Sequence, residues 1–330
     1  MKYTNLFNSD ITISQMSMGT WGFSGAAIWG ESDDDVSIRT IHKAMDYGIN
    51  LFDSASRYGD GKAEEVLGKA IKGRRDKVVV ATKVFYDALE YDQVIDECEK
   101  SLKRLDTDYI DIYQIHWPNR DVDPQETMRA FEKLRRDGKI RTIGVCNHGL
   151  GAMEAIKGHD IVLNQLPYSL IWRLIESGVA QKSMENNMAV WAYSPLAQGL
   201  LTGKFKTVDD VPLNRRATRF YSSKWGQGRH TDTGFETDVF DFLDRLRAVC
   251  NRTGFPMATL AVAFLKSRPG MGSVLIGSRD PVQLDQNVKS FETDVPTEII
   301  DEITDLSTPL KDIMGTNPDL WENADGGRMY

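Results

Sequence analysis

Short apolar runs alternate with amphipathic stretches along the whole chain. The apolar runs predict strands at Gln15–Thr20, Asn50–Ala55, Val78–Val84, Tyr109–Trp117, Thr142–Asn147, Ile161–Pro167, Ala189–Ser194 and Ser273–Gly277. Between them, apolar residues recur at helical spacing over Asp34–Tyr47, Lys62–Ile71, Tyr91–Leu105, Pro124–Asp137, Leu150–Lys157 and Leu174–Asn186. Met257–Ser267 and Pro281–Lys289 continue the pattern, the latter opening on a proline as a first helical position tolerates. Strict alternation of strand and helix implies parallel strands joined by crossover helices. Eight such units in somewhat more than the roughly 250 residues typical of the fold predict a closed (β/α)₈ barrel. A doubly wound sheet is the main competitor, but the first strand ends in Gly19-Thr20-Trp21-Gly22 and lacks the Gly-x-Gly-x-x-Gly turn of that fold. The chain is therefore read as one barrel domain over residues 1–330.

Two segments break the rhythm. Ile11-Thr12-Ile13 suits a small hairpin capping the barrel floor. Phe205 to Phe235 is long and rich in Arg, Ser and Gly, which marks a functional loop or lid. Val239–Asn251 then predicts an extra helix.

Composition narrows the functional class. Of 330 residues, 41% are hydrophobic and 27% charged, as in soluble globular proteins. A net charge of −8 argues against a nucleic-acid or anionic-membrane surface. No leader-like opening or bilayer-length apolar run is seen, and the three cysteines are widely spaced, so a cytoplasmic location with reduced thiols is expected. The five histidines show no ligand spacing, and no metal is expected. Gly199 to Lys204 superficially resembles a phosphate loop, but its glycine spacing is one short and Phe205 replaces the hydroxyl residue.

In a barrel, the C-terminal strand ends form the active face. Here they offer Trp21, Asp53 with Tyr58, Lys83, His116-Trp117, Cys146-Asn147, Gln165, Tyr193-Ser194 and Ser278-Arg279. A tyrosine hydroxyl, with a reference pKa of about 10, is a poor acid unless a neighbouring ammonium lowers it. Lys83 would supply that ammonium, Asp53 would aim it, and His116 would donate to a substrate oxygen or relay a proton. The set suits protonation of a carbonyl oxygen as hydride reaches its carbon. Trp21, Phe85 and Trp117 are expected to wall the substrate pocket, while Trp29 and Trp225 are assigned equally to wall and core.

These stretches resemble the aldo-keto reductase family, in its bacterial branch of single-domain NADP-dependent oxidoreductases. The resemblance rests on Gly19-Thr20-Trp21, Leu51 to Gly59, Glu64 to Gly68, Ala81-Thr82-Lys83, Ser101 to Leu105, Asp108 to Asp111, His116-Trp117-Pro118, Gly138 to Val145, Asn164-Gln165 and Tyr193 to Leu196. It implies NADP as cofactor (NAD being the alternative) and a carbonyl or alcohol substrate: an aldehyde, ketone, sugar or polyol. It implies that Asp53, Tyr58, Lys83 and His116 form a catalytic tetrad with Tyr58 as general acid/base. Asn147 and Gln165 would hold the nicotinamide carboxamide and Tyr193 would stack on the ring. Gly19, Thr20, Trp21, Ser194 and Leu196 would add cofactor contacts. Gly199, Leu200 and Lys204 would wrap the pyrophosphate. Gly277, Ser278, Arg279, Gln283, Gln286 and Asn287 would hold the adenosine end, with the helix start favouring a 2′-phosphate. Cys146 stands where the family often has serine, which weakens one carboxamide contact. His148, where many relatives have phenylalanine, would bring a polar group to the substrate. A cofactor-binding regulatory subunit with little turnover, and a barrel aldolase with Lys83 as Schiff base, are the rival readings.

Overall fold

The computed structural model describes residues 1–26, 28–323 and 327–330. Two short strands, β1 (Tyr3–Asn5) and β2 (Thr12–Ser14), pair antiparallel. Eight further strands then close into a parallel barrel. They are β3 (Met16–Gly19), β4 (Leu51–Asp53), β5 (Val79–Val84), β6 (Ile110–Ile115), β7 (Ile140–Cys146), β8 (Ile161–Pro167), β9 (Ala189–Tyr193) and β10 (Met271–Gly277). Neighbours follow chain order, and β10 pairs with β3 to complete the ring.

The helices outside the ring are α1 (Asp34–Asp46), α2 (Lys62–Ile71), α3 (Tyr91–Leu105), α4 (Pro124–Arg136), α5 (Leu150–Ala155) and α6 (Val179–Glu185). α7 (Glu236–Thr253) and α8 (Met257–Lys266) precede β10, and α9 (Pro281–Glu292) and α10 (Thr297–Met314) follow it. Asp-Pro pairs start α4 and α9: Asp123 and Asp280 accept from the first free amides while proline takes the position that needs no donor. The expected helix over Leu174–Asn186 is broken instead into a 3₁₀ turn, Leu174–Glu176, and α6, because Gly178 between them adopts φ 116°. The helix α10 has no counterpart in the sequence reading. Its buried positions Ile303, Ser307, Leu310 and Met314 include a serine, and Pro309 lies inside it, so the periodic signal is weak.

The hairpin has its predicted place. Leu6, Ile11 and Ile13 join one buried cluster with Leu51, Val79, Ala81, Ile112, Val162, Trp191 and Leu275 of the barrel strands. Apolar side chains thus fill the N-terminal end of the cylinder. The C-terminal end stays open, and the polar strand ends gather there.

Candidate active site

Adjacent strands bring Asp53 and Lys83 together. Asp53 ends β4 opposite Ala81 of β5, and Lys83 lies two residues further along β5, opposite Gln114 of β6. Lys83 is 0% exposed and Asp53 2%. The Lys83 ammonium donates to Asp53 Oδ2 at 2.7 Å and to the Ser54 carbonyl at 2.5 Å. Asp53 Oδ1 accepts from Gln114 Nε2 at 3.1 Å and Gln165 Nε2 at 2.9 Å. Burial works against the ammonium, but the Asp53 carboxylate outweighs it and holds Lys83 above its ordinary range. A firmly protonated amine is not a nucleophile, which disfavours the Schiff-base reading. Gln114 was not anticipated; a glutamine inside an otherwise apolar strand is the sequence signal that marks it.

Tyr58 reaches the same point from the β4–α2 loop. Three left-handed residues, Gly59, Asp60 and Gly61, turn the chain just after it. Gly59 is required there, since a Cβ would lie 2.4 Å from the Ser24 carbonyl oxygen. The Tyr58 ring stacks on Trp21 with centroids 5.8 Å apart and meets His116 edge-on at 5.9 Å. Lys83 Nζ lies 5.0 Å from the Tyr58 ring centre. The expectation that Lys83 lowers the phenol's pKa needs correction. Its ammonium pulls that way, but burial wins and pushes Tyr58 up to about 12, so the hydroxyl keeps its proton near neutrality. His116 is held well below its ordinary value by burial, helped by Lys83, Arg328 and Arg57. A neutral imidazole therefore faces the phenol, and it acts as a hydrogen-bond donor, not as an acid.

A second group adjoins this one. Asn147, in a left-handed conformation (φ 58°), donates from Nδ2 to the His116 carbonyl at 3.0 Å. Its Oδ1 accepts from the Tyr193 hydroxyl at 2.9 Å. Beyond Tyr193 the backbone turns left-handed at Ser194, Ala197, Gln198 and Gly199, which curls the loop around the cavity.

Asp53, Tyr58, His116, Asn147, Gln165 and Tyr193 line one cavity of about 1060 Å³, slightly larger than a typical small-molecule site, while Lys83 and Gln114 lie buried behind its wall. Its wall contains Gly19, Trp21, Asp53, Tyr58, Phe85, His116, Trp117, Asn147, Gln165, Tyr193, Ser194, Leu196, Gly199, Lys204, Gly277, Ser278, Arg279 and Gln283. Trp29 belongs to the wall; Trp225 instead turns away to donate its indole N–H to Glu236 at 2.9 Å. Glu31, Asp33, Arg215 and Gln227 to Arg229 also line it and were not foreseen; Trp321 and Arg328 line it too, from a tail whose polar groups could reach a hydroxylated substrate if it folds over the barrel mouth. They sit on long loops and the tail, where no periodic pattern places a side chain.

Six expected residues are elsewhere. Thr20 is buried and donates to the Asp53 carbonyl at 3.1 Å, bracing the strand end. Cys146 is buried with its thiol turned to Gln114 Oε1 at 3.4 Å, because that position of β7 faces into the barrel. His148 is 2% exposed with Nδ1 against the Cys146 carbonyl at 2.9 Å, behind the wall and not at the substrate. Leu200 packs in the apolar core. Asn287 is buried and donates to Ser278 Oγ at 2.9 Å, shaping the β10–α9 loop. Gln286 lies exposed on α9, outside the cavity wall.

The far end of the cavity is cationic. Among the described residues no ion pair holds Lys204, Arg215 or Arg279. The Arg279 guanidinium donates to the Glu31 carbonyl at 2.9 Å and that of Arg215 to the Ile28 carbonyl at 3.3 Å, both neutral acceptors. Burial lowers Lys204 and Arg215 from their ordinary values; Arg215 adds to the first effect and Arg279 to the second. Three neighbouring cations engaged in no ion pair among the described residues fit the phosphates of a dinucleotide. The start of α9 does not contribute as expected: Asp280 Oδ1 already accepts the Val282 and Gln283 amides at 2.9 and 2.8 Å. Among the described residues no group of three or more His, Cys, Asp or Glu is arranged to hold a metal ion.

Known proteins place this architecture. Residues 15–308 match the model of the Aldo/keto reductase family. An aldo-keto reductase of Bacillus subtilis is 36% identical over 306 residues, covering 86% of this chain and 87% of the relative. An NADH-specific methylglyoxal reductase of Escherichia coli is 33% identical over 317 residues, covering 88% and 94%. Among solved structures, a glycerol dehydrogenase of Gluconobacter oxydans superposes with a TM-score of 0.78 at 29% identity, covering 96% of this chain and 97% of that one. An aldo-keto reductase of Klebsiella pneumoniae in complex with NADPH gives 0.73 at 27% identity, covering 96% and 99%. The chain belongs to the aldo/keto reductase family.

Proposed function

We propose that this chain moves hydride between NADP(H) and a carbonyl or alcohol carbon, with Tyr58 exchanging the proton on oxygen. The observation that carries the reading is the meeting of Tyr58, Lys83, Asp53 and His116 at the mouth of the barrel, beside Asn147, Gln165 and Tyr193. The bound nicotinamide supplies or accepts the hydride. Tyr193 offers a ring face for it, while the amides of Asn147 and Gln165 line the same pocket and suit its carboxamide. Lys204, Arg215 and Arg279 hold the phosphates. In the reducing direction Tyr58 donates its proton to the substrate oxygen, and Lys83 stabilises the phenolate left behind. His116, neutral and at the wall, hydrogen-bonds that oxygen and fixes which face of the carbonyl is presented.

Relatives differ in nucleotide: the Escherichia coli enzyme is NADH-specific, whereas the Klebsiella structure holds NADPH. The unpaired Arg279 at the adenosine end supports NADP for this chain. Trp21, Phe85, Trp117 and Trp321 with Arg328 suit a small carbonyl or a hydroxylated substrate, and the glycerol dehydrogenase and methylglyoxal reductase relatives support that class. The three free cysteines are in keeping with a cytosolic setting. No single helix among the described residues is long and apolar enough to cross a membrane.

A second reading, a cofactor-binding subunit with little turnover, has one point in its favour. A probable potassium-channel β subunit of Arabidopsis thaliana is 27% identical over 311 residues. Cofactor consumption measured with aldehydes, ketoses and polyols in both directions separates the two. Steady turnover with at least one class is expected; tight NADPH binding without turnover on the whole panel would favour the subunit.

A further inference from the structure

The C-terminal tail lines the cavity with Trp321 and Arg328, and Trp321 is the one that meets Tyr193. Trp321 lines the cavity and donates its indole N–H to the Tyr193 hydroxyl at 3.3 Å. Tyr193 in turn donates to Asn147 Oδ1 at 2.9 Å, and Asn147 donates to the His116 carbonyl at 3.0 Å. An indole N–H only donates and a backbone carbonyl only accepts, so every hydrogen in this chain runs in one direction. The tail residue thus fixes the hydroxyl of the ring platform, the orientation of one amide, and the backbone of the histidine at the reacting end.

Trp321 is itself held firmly. Asp319 Oδ1 accepts the backbone amides of Trp321 and Glu322 at 2.8 and 3.1 Å. Arg219 donates to the carbonyls of Asn317 and Asp319 at 3.1 and 2.9 Å, and the Trp172 indole donates to that of Pro318 at 3.0 Å. These contacts tie the tail to the long loop after β9, through Arg219, and to the β8–α6 connection, through Trp172. A donor carried on so constrained a segment sets a position; it does not merely fill space.

We propose that Trp321 is a positioning residue for hydride transfer: its indole N–H locks Tyr193 and Asn147 against the nicotinamide and keeps them in register with the substrate wall it also forms. This inference rests on the dinucleotide reading above. It goes further in assigning a role to a tail residue outside the catalytic four and outside the pairs expected to hold the cofactor.

The test compares the parent chain with Trp321→Phe, Tyr193→Phe and the double variant, using NADPH and 4-deuterated NADPH with an aldehyde that the parent reduces. Trp321→Phe keeps an aromatic wall, smaller by one ring, and removes the donor. Loss of one neutral hydrogen bond, about 1 kcal/mol, predicts a kcat about fivefold lower. The substrate KM and the melting temperature should change little, and the deuterium isotope effect should rise because the transfer step becomes slower. Tyr193→Phe already breaks the relay, so adding Trp321→Phe to it should cost less than a further twofold. Parental kcat and isotope effect in Trp321→Phe, or fully multiplicative losses in the double variant, would overturn the assignment. Should Trp321→Phe fail to fold, Trp321→His, which keeps a ring N–H, gives the answer: it should retain at least half of the parental kcat, and a loss matching that of Trp321→Ala would overturn the role. Absence of any NADPH-dependent turnover in the parent would overturn the functional reading itself, a result distinct from either of these.

Discussion

Removing both members of the Asp53–Lys83 pair should destabilise the barrel by clearly less than the two single removals add up to. Lys83 has no exposure at all and Asp53 2%, so neither charge can recover water if its partner disappears. Asp53→Asn removes the counter-charge and leaves the ammonium with neutral acceptors, the Ser54 carbonyl among them. Lys83→Met leaves a carboxylate facing the Gln114 and Gln165 amides. Breaking a buried pair on one side costs about 3–5 kcal/mol, because an uncompensated charge stays in the interior. The double variant carries no orphan charge and packs a methionine of similar length, so its loss should fall short of the sum of the single losses by about 2 kcal/mol or more. Urea unfolding of the four proteins at neutral pH, followed by tryptophan fluorescence, measures this. Single losses that add within about 0.5 kcal/mol would show that the two groups act independently, and the reading of Lys83 as a charge held by Asp53 would fail.

Three other expectations rest on separate parts of the molecule. Burial holds the His148 imidazole at about 4 against an ordinary value of 6.5. The unfolded chain therefore takes up the proton first on acidification: this contribution is complete above pH 6.5 and is lost as the pH falls towards 4. It amounts to about 3 kcal/mol. His148→Gln should flatten the stability profile in that window, and profiles of equal slope would rule the linkage out. Gly59→Ala puts a methyl group 2.4 Å from the Ser24 carbonyl oxygen on left-handed backbone. It should lower stability by about 1–3 kcal/mol and displace Tyr58, with a matching fall in kcat; a parental melting temperature and rate would refute the constraint. Arg279→Ala should weaken NADPH at least tenfold more than NADH in fluorescence titrations, whereas equal weakening would remove Arg279 from recognition of the 2′-phosphate.

The barrel was legible because each strand is short, rich in apolar residues and separated from the next by a clear helical period. The convergence of Asp53, Tyr58, Lys83 and His116 was legible for the same reason, since a parallel barrel puts every strand end at one mouth. Pleat parity settled less. Cys146 and Asn147 are consecutive, yet one thiol turns into the barrel while the next residue, in a left-handed conformation, turns to the cavity. His148 likewise follows a strand end but folds back behind the wall. The sign of the Tyr58 shift depended on a balance between burial and the Lys83 charge that residue types alone do not weigh. Helix α10 escaped because a serine and a proline interrupt its apolar pattern, and the tail, though its composition suits a segment over the barrel mouth, gave no periodic signal for the Trp321 bond to Tyr193.

The proton carried by Tyr58 is the central claim, and one single-turnover experiment tests it most directly. Mix NADPH-loaded enzyme, parent or Tyr58→Phe, with a carbonyl substrate that the parent reduces, and follow NADPH absorbance. NADPH affinity should stay within a few-fold of the parent and hydride transfer should slow by roughly 10²–10⁴-fold, as expected when a positioned acid is removed. Transfer by Tyr58→Phe within a few-fold of the parental rate would contradict it.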